Sequence, residues 1–111
     1  MADLKKTQDY RKTKKFKAIR QSMLDSLEAR GLDSKVHTDK VGEYMDFWVL
    51  RQELRDDVAA RGLSVSDDRG RVTENRSVSL EIQVSRQMMA IFTALGFKAE
   101  KGRDDYDDDE L

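Results

Sequence analysis

The 111-residue chain contains no cysteine and no proline. Without cysteine there is no disulfide framework and no thiolate metal site, which suits a reducing compartment. Without proline the commonest helix breaker is missing. There is one histidine, His37. Nucleophilic and metal-water catalysis usually needs a histidine oriented by a third group. His37 falls in a connector, just before a predicted helix start, and reads as a linker or packing residue. No Gly-Lys dipeptide is present, so there is no phosphate-binding P-loop, and neither G-x-G-x-x-G nor G-x-S-x-G occurs. No apolar run approaches the ~20 residues that span a bilayer. The start, MADLKKTQDY, lacks the apolar stretch of a secretory signal. The expectation is a soluble, non-enzymatic protein with no cofactor, no metal and no membrane partner.

The acidic residues do not alter that reading. Asp56-Asp57 are neighbours on a predicted helix and point to different faces, so they form no catalytic dyad. Asp67-Asp68 lie in a predicted turn, where aspartate is ordinary. The run Asp104, Asp105, Asp107, Asp108, Asp109, Glu110 lacks the glycine turn and fixed ligand spacing of a calcium loop.

What the chain has in quantity is charge. Charged residues make up 39% of it, against about 25% in typical domains. They are unevenly spread. Residues 1–20 hold eight Lys/Arg and two Asp, a charge of +6, whereas residues 100–111 hold seven Asp/Glu and two Lys/Arg, a charge of −5. A basic start and an acidic end suggest separate partners for separate ends.

Periodicity predicts a mainly α fold: a three-helix core with a short β-hairpin between the second and third helices. Phe16, Ile19, Met23 and Leu27 recur at spacings of three and four and predict a helix from near Asp9 to Arg30, stopped by Gly31. Thr38 is the expected N-cap of a second helix reaching about Arg61 and ending at Gly62. Val41, Tyr44, Met45 and Trp48 form one stripe on it; Phe47, Leu50, Leu54 and Val58 form a second. Leu63 and Val65 alternate with serines and are followed by Asp67, Asp68, Arg69 and Gly70, which predicts a hairpin near 63–74. Asn75 or Ser77 caps a third helix over about 77–95, closed by Gly96. Its apolar residues fall on two faces: Val78, Ile82, Met89 and Phe92 on one, Leu80, Val84, Met88, Ile91 and Leu95 on the other. Residues 1–15 are thus read as a partly disordered basic segment, 16–98 as a helical oligomerisation core, and 99–111 as a disordered acidic tail. Helices this apolar, in so small a unit, call for burial against another subunit.

The basic stretch Lys5, Lys6, Arg11, Lys12, Lys14, Lys15, Lys17 and Arg20 is the chemistry-bearing feature. Phosphate backbones are bound by bringing many cations near a polyanion and releasing its counterions. Arg69, Arg71 and Arg76 form a second, weaker candidate contact. Tyr10 and Phe16 interleave with the lysines; Phe16 reads as core, and Tyr10 as either core or base-stacking. No helix-turn-helix spacing is present.

From Tyr44 to Lys98 the order of features resembles the short terminase small subunits of tailed bacteriophages. The residues that carry the likeness are Tyr44 and Trp48, Glu53-Leu54, Val58, Gly62-Leu63 with Val65, the hairpin Gly70, Asn75 and Ser77, Leu80 and Met88, and Leu95-Gly96-Phe97-Lys98. They span about half the chain. Relatives often carry proline after the asparagine and after the closing Leu-Gly; Arg76 and Ala99 stand here. The basic start and acidic end lie outside the likeness. The resemblance implies a non-catalytic, ring-forming subunit in the host-cell cytoplasm. Such a subunit recognises double-stranded viral DNA and delivers it to a large ATPase/nuclease subunit, for which the acidic tail is the candidate contact here. Tyr44, Trp48, Leu54, Val58, Met88, Phe92 and Leu95 would serve its core or subunit contacts. The residues alone also leave open a small DNA-binding transcription-type regulator and a protein–protein adaptor.

Overall fold

A computed structural model describes residues 9–98. Its order is a 3-10 turn at Tyr10–Lys12, α1 at Lys14–Ala29, α2 at Lys35–Arg61, β1 at Ser64–Ser66, β2 at Val72–Glu74 and α3 at Arg76–Ala94. The chain is mainly helical, with a two-stranded antiparallel hairpin between α2 and α3, as the periodicity indicated.

The start differs from the expected continuous helix. Asp9 accepts from the Arg11 amide and caps the 3-10 turn; Thr13 Oγ1 then accepts from the Phe16 amide at 3.2 Å and caps α1. Two caps four residues apart make two short elements where periodicity suggested one. Packing also begins before residue 16, because the Tyr10 ring meets Trp48 edge-on at 6.1 Å. The expected 1–15 segment is therefore structured from Asp9 onward, and residues 1–8 and 99–111 lie outside the described residues.

α2 begins three residues before the expected cap. Ser34 is its N-cap residue, and Thr38 Oγ1 instead donates to the Lys35 carbonyl inside the first turn. His37 is half-buried in that turn, with Nδ1 2.9 Å from Ser34 Oγ. Apolar spacing gave no sign of this turn because its one apolar residue, Val36, is 71% exposed.

α1 runs back along α2, and α3 runs antiparallel to α2. The pairs Ser77–Asp57, Arg55–Glu81 and Tyr44–Phe92 fix that second direction. The single core takes Phe16, Met23 and Leu27 from α1, Val41, Met45, Trp48 and Val49 from α2, and Val84, Met88, Ile91 and Leu95 from α3. Burying such side chains stabilises by roughly 1.5–3 kcal/mol each.

Two glycines close α1 and α3 in the same way. Gly31 and Gly96 adopt φ of 74° and 85°, so Leu32 and Phe97 donate back to the carbonyls of Leu27 and Phe92. Phe97 then packs on Phe92 at 5.2 Å, the apolar contact typical of this helix ending. Arg30 joins the two ends: it donates to the Leu95 carbonyl at 2.8 Å and lies 5.1 Å over the Phe97 ring. Because α1 and α3 both run opposite to α2, their N-termini lie toward the C-terminal end of α2.

Candidate nucleic-acid interface

The predicted cations separate into three groups. Lys5 and Lys6 lie outside the described residues. Arg11 is engaged within the protein, pairing with Asp46 at 3.0 Å and sitting 5.9 Å over the Phe16 ring, whereas Lys12 stays 82% exposed with only a loose 3.9 Å contact to Asp9. Lys14, Lys15, Lys17 and Arg20 are exposed, and no ion pair among the described residues uses them. The core-facing side of the same helix is fixed through Phe16, Met23 and Leu27. The four cations are thus displayed on a held surface.

Their position on the helix is unusual. The first turn of an α-helix carries the positive end of its dipole and favours acidic side chains. The first turn of α1 has no acid and three lysines, Lys14, Lys15 and Lys17. Lysine charge and helix dipole add, at some cost to the helix itself, and a polyanion relieves both.

The aromatic residues among the lysines are not free to stack on bases. Phe16 is buried against Trp48 at 5.8 Å. The Tyr10 hydroxyl donates to Asp56, and that bond, with burial and the nearby carboxylates, pushes its pKa up. Tyr10 is an anchor that fixes the approach to α1.

The second candidate set lies at the hairpin and the start of α3. Arg71 Nε donates to Asp67 at 2.8 Å, while Asp67 also accepts from the amides of Arg69 and Arg71. Those bonds hold the Asp67 carboxyl below its usual range, the Arg71 contacts contributing most. Arg71 therefore shapes the turn, whereas Arg69 and Arg76 are exposed and in no ion pair among the described residues. The start of α3 lies at the C-terminal end of α2, whereas the first turn of α1 lies against its middle, where Phe16 meets Trp48. Asp56 holds Tyr10 and thereby the approach to α1; the adjacent Asp57 faces another way and holds the start of α3 through Ser77.

That second anchor is a polar network which sequence reasoning missed. Arg61 grips Asp57 with two nitrogens at 2.7 and 2.8 Å. Asn75, fully buried, caps α3 by accepting from the Ser77 amide and donates to the Gly62 carbonyl. The Arg61 contacts, then Ser77, hold the Asp57 carboxyl well below the usual carboxylate range. The i, i+4 spacing of Asp57 and Arg61 and the cap residues Asn75 and Ser77 are its sequence signals, and only the packing of α3 on α2 brings them together.

Of the residues proposed for core or subunit contacts, Trp48, Met88 and Leu95 are buried in the core, and Tyr44, Leu54, Val58 and Phe92 are half-buried. The apolar surface left over lies elsewhere: Val36, Leu50, Leu63, Val72, Ile82 and Met89 are 40–71% exposed. No helix of the described residues is long and apolar enough to cross a membrane. In comparisons with known proteins, the chain matches no family model, no curated protein and no solved structure.

Proposed function

We propose that this protein is a DNA-packaging subunit of the phage terminase small-subunit type. It grips double-stranded viral DNA by its phosphates and presents it to a large ATPase/nuclease subunit, without catalysing a reaction itself. The observation that carries the DNA part is the first turn of α1, where three lysines stand at the positive end of a helix pinned to the core. Arg20 extends that surface, and Arg69 and Arg76 are further exposed cations at the hairpin and the start of α3. The ordered features from Tyr44 to Lys98 carry the packaging part, as a resemblance. In this reading the protein forms a homo-oligomeric ring, and the acidic residues after Lys98 meet the large subunit.

A transcription-type regulator is the alternative. It receives less support, because α2 and α3 are joined by a hairpin and run antiparallel. A helix-turn-helix joins its helices by a three- or four-residue turn and crosses them steeply.

The test is DNA binding measured against salt. If about six phosphates are contacted, affinity falls roughly a thousandfold between about 50 and 200 mM salt. A flat salt response would overturn the DNA part. Failure to alter the ATPase or nuclease activity of the large subunit encoded alongside it would overturn the packaging part.

A further inference from the structure

Two unpartnered surfaces on this chain match each other. The first is a cleft of about 230 Å³ between α2 and α3, lined by Tyr44, Arg51, Ser85, Met88, Met89 and Phe92. That is below the range of drug-sized ligand sites, about 300–1,000 Å³, and fits a protein side chain. Its apolar rim continues along α3 through Ile82, and Ile82 and Met89 are 51% and 57% exposed. Arg51 Nε is buried there and has no hydrogen-bond partner among the described residues. The Glu81 carboxylate lies 3.8 Å from it but bonds Arg55 Nε at 2.8 Å instead. The rest of the guanidinium reaches the surface, since the Arg51 side chain is 29% exposed, and an incoming carboxylate can meet it there.

The second surface is the hairpin. An isolated two-stranded hairpin is marginal in water. Here Leu63 and Val72 are 67% and 68% exposed. In the register Ser66↔Val72 and Ser64↔Glu74, Val72 and Glu74 are two residues apart and share one face of β2. Glu74 enters no ion pair among the described residues. The hairpin therefore offers an apolar side chain about 7 Å from a carboxylate. The cleft asks for that combination: an apolar group for Met89 and Phe92, and an acceptor for Arg51. The two surfaces are well separated in one chain, since Arg76 and Met89 are about 20 Å apart along α3.

We propose that the hairpin of one copy docks into the α2–α3 cleft of the next, with Val72 against Met89 and Glu74 bonding Arg51. Different surfaces meet, so the contact is head-to-tail and repeats from copy to copy, closing a ring when the rotation permits. It rests on the proposed self-assembly and names the surface that performs it.

Val72 and Met89 are both exposed, so Val72→Glu and Met89→Glu leave the core intact. Light scattering on each variant should show a monomer, with association weakened by about 100-fold or more. Mixed one to one, the variants should form a two-chain complex, because the intact cleft of one accepts the intact hairpin of the other. A mixture that stays monomeric, a variant that assembles like the wild type, or a wild type still monomeric at about 100 µM overturns the proposal. DNA binding on the same samples separates the two readings. A monomeric wild type that binds DNA overturns this interface alone, and an assembly that ignores DNA overturns the DNA reading alone.

Discussion

Ser77 Oγ donates to Asp57 Oδ2 at 2.7 Å, joining the start of α3 to the last turns of α2 across the hairpin. Twenty residues of chain separate the two groups, and the bond sets where the hairpin leaves the helices. The Arg61 and Ser77 contacts lower the Asp57 pKa, so this network contributes stability above the ordinary aspartate range, near 3.9, and loses it as pH falls below that. Asp57→Asn should cost about 1–2 kcal/mol at pH 7 by urea denaturation. The gap between wild type and variant should narrow at pH 3. A gap that widens on acidification would contradict the assigned contacts.

Charge reversal at the start of α1 should separate stability from binding. Lys14→Glu with Lys17→Glu places acids where the helix dipole favours them and should raise stability by a few tenths of a kcal/mol. The same pair should abolish DNA binding at moderate salt and lower the slope of log affinity against log salt by about two. Thermal melting and fluorescence anisotropy on one sample read both effects.

Tyr10→Phe should lower stability by about 1 kcal/mol through loss of the Asp56 bond. The Trp48 contact survives, and DNA affinity should stay within twofold. A large loss of affinity would return Tyr10 to the role of a stacking platform.

Gly96→Ala should lower stability modestly, by about 1 kcal/mol or somewhat more. Gly96 has φ 85°, and a Cβ there would fall 2.6 Å from Arg30 Nη1. The backbone strain alone costs about 1 kcal/mol, and displacing Arg30 also breaks its bond to Leu95. A melting temperature unchanged from wild type would show that Arg30 is not held as described.

The periodic parts of this fold were legible from the chain, and the reasons are local. Met23 and Leu27, or Val84, Met88, Ile91 and Leu95, recur at helical spacing and are buried. Gly31, Gly62, Gly70 and Gly96 mark helix ends and the turn, and each takes positive φ. The first turn of α2 was not legible, because it carries no buried apolar residue. The stop at Thr13 was missed because lysines on either side continue a helical composition. At the candidate interface the exposed lysines were legible as charge, but Arg11 and Arg71 are spent on Asp46 and Asp67. Those partners are set by tertiary placement and local turn geometry that spacing does not encode. The state of Arg51 was invisible for the same reason: Glu81 bonds Arg55 and leaves Arg51 a longer ion pair, which is a property of the packed α2–α3 cleft.

The shared direction of α1 and α3 gives the folded body an orientation before it touches anything. The positive ends of α1 and α3 point the same way along α2, with exposed cations beside them as a cationic pole, and Arg30 ties the opposite ends of the two helices together. A polyanion approaching in solution exerts a torque on such a body as well as an attraction, turning the cationic pole toward itself. Productive encounters then form a larger share of collisions at low salt, and this gain is lost as the Debye length shrinks.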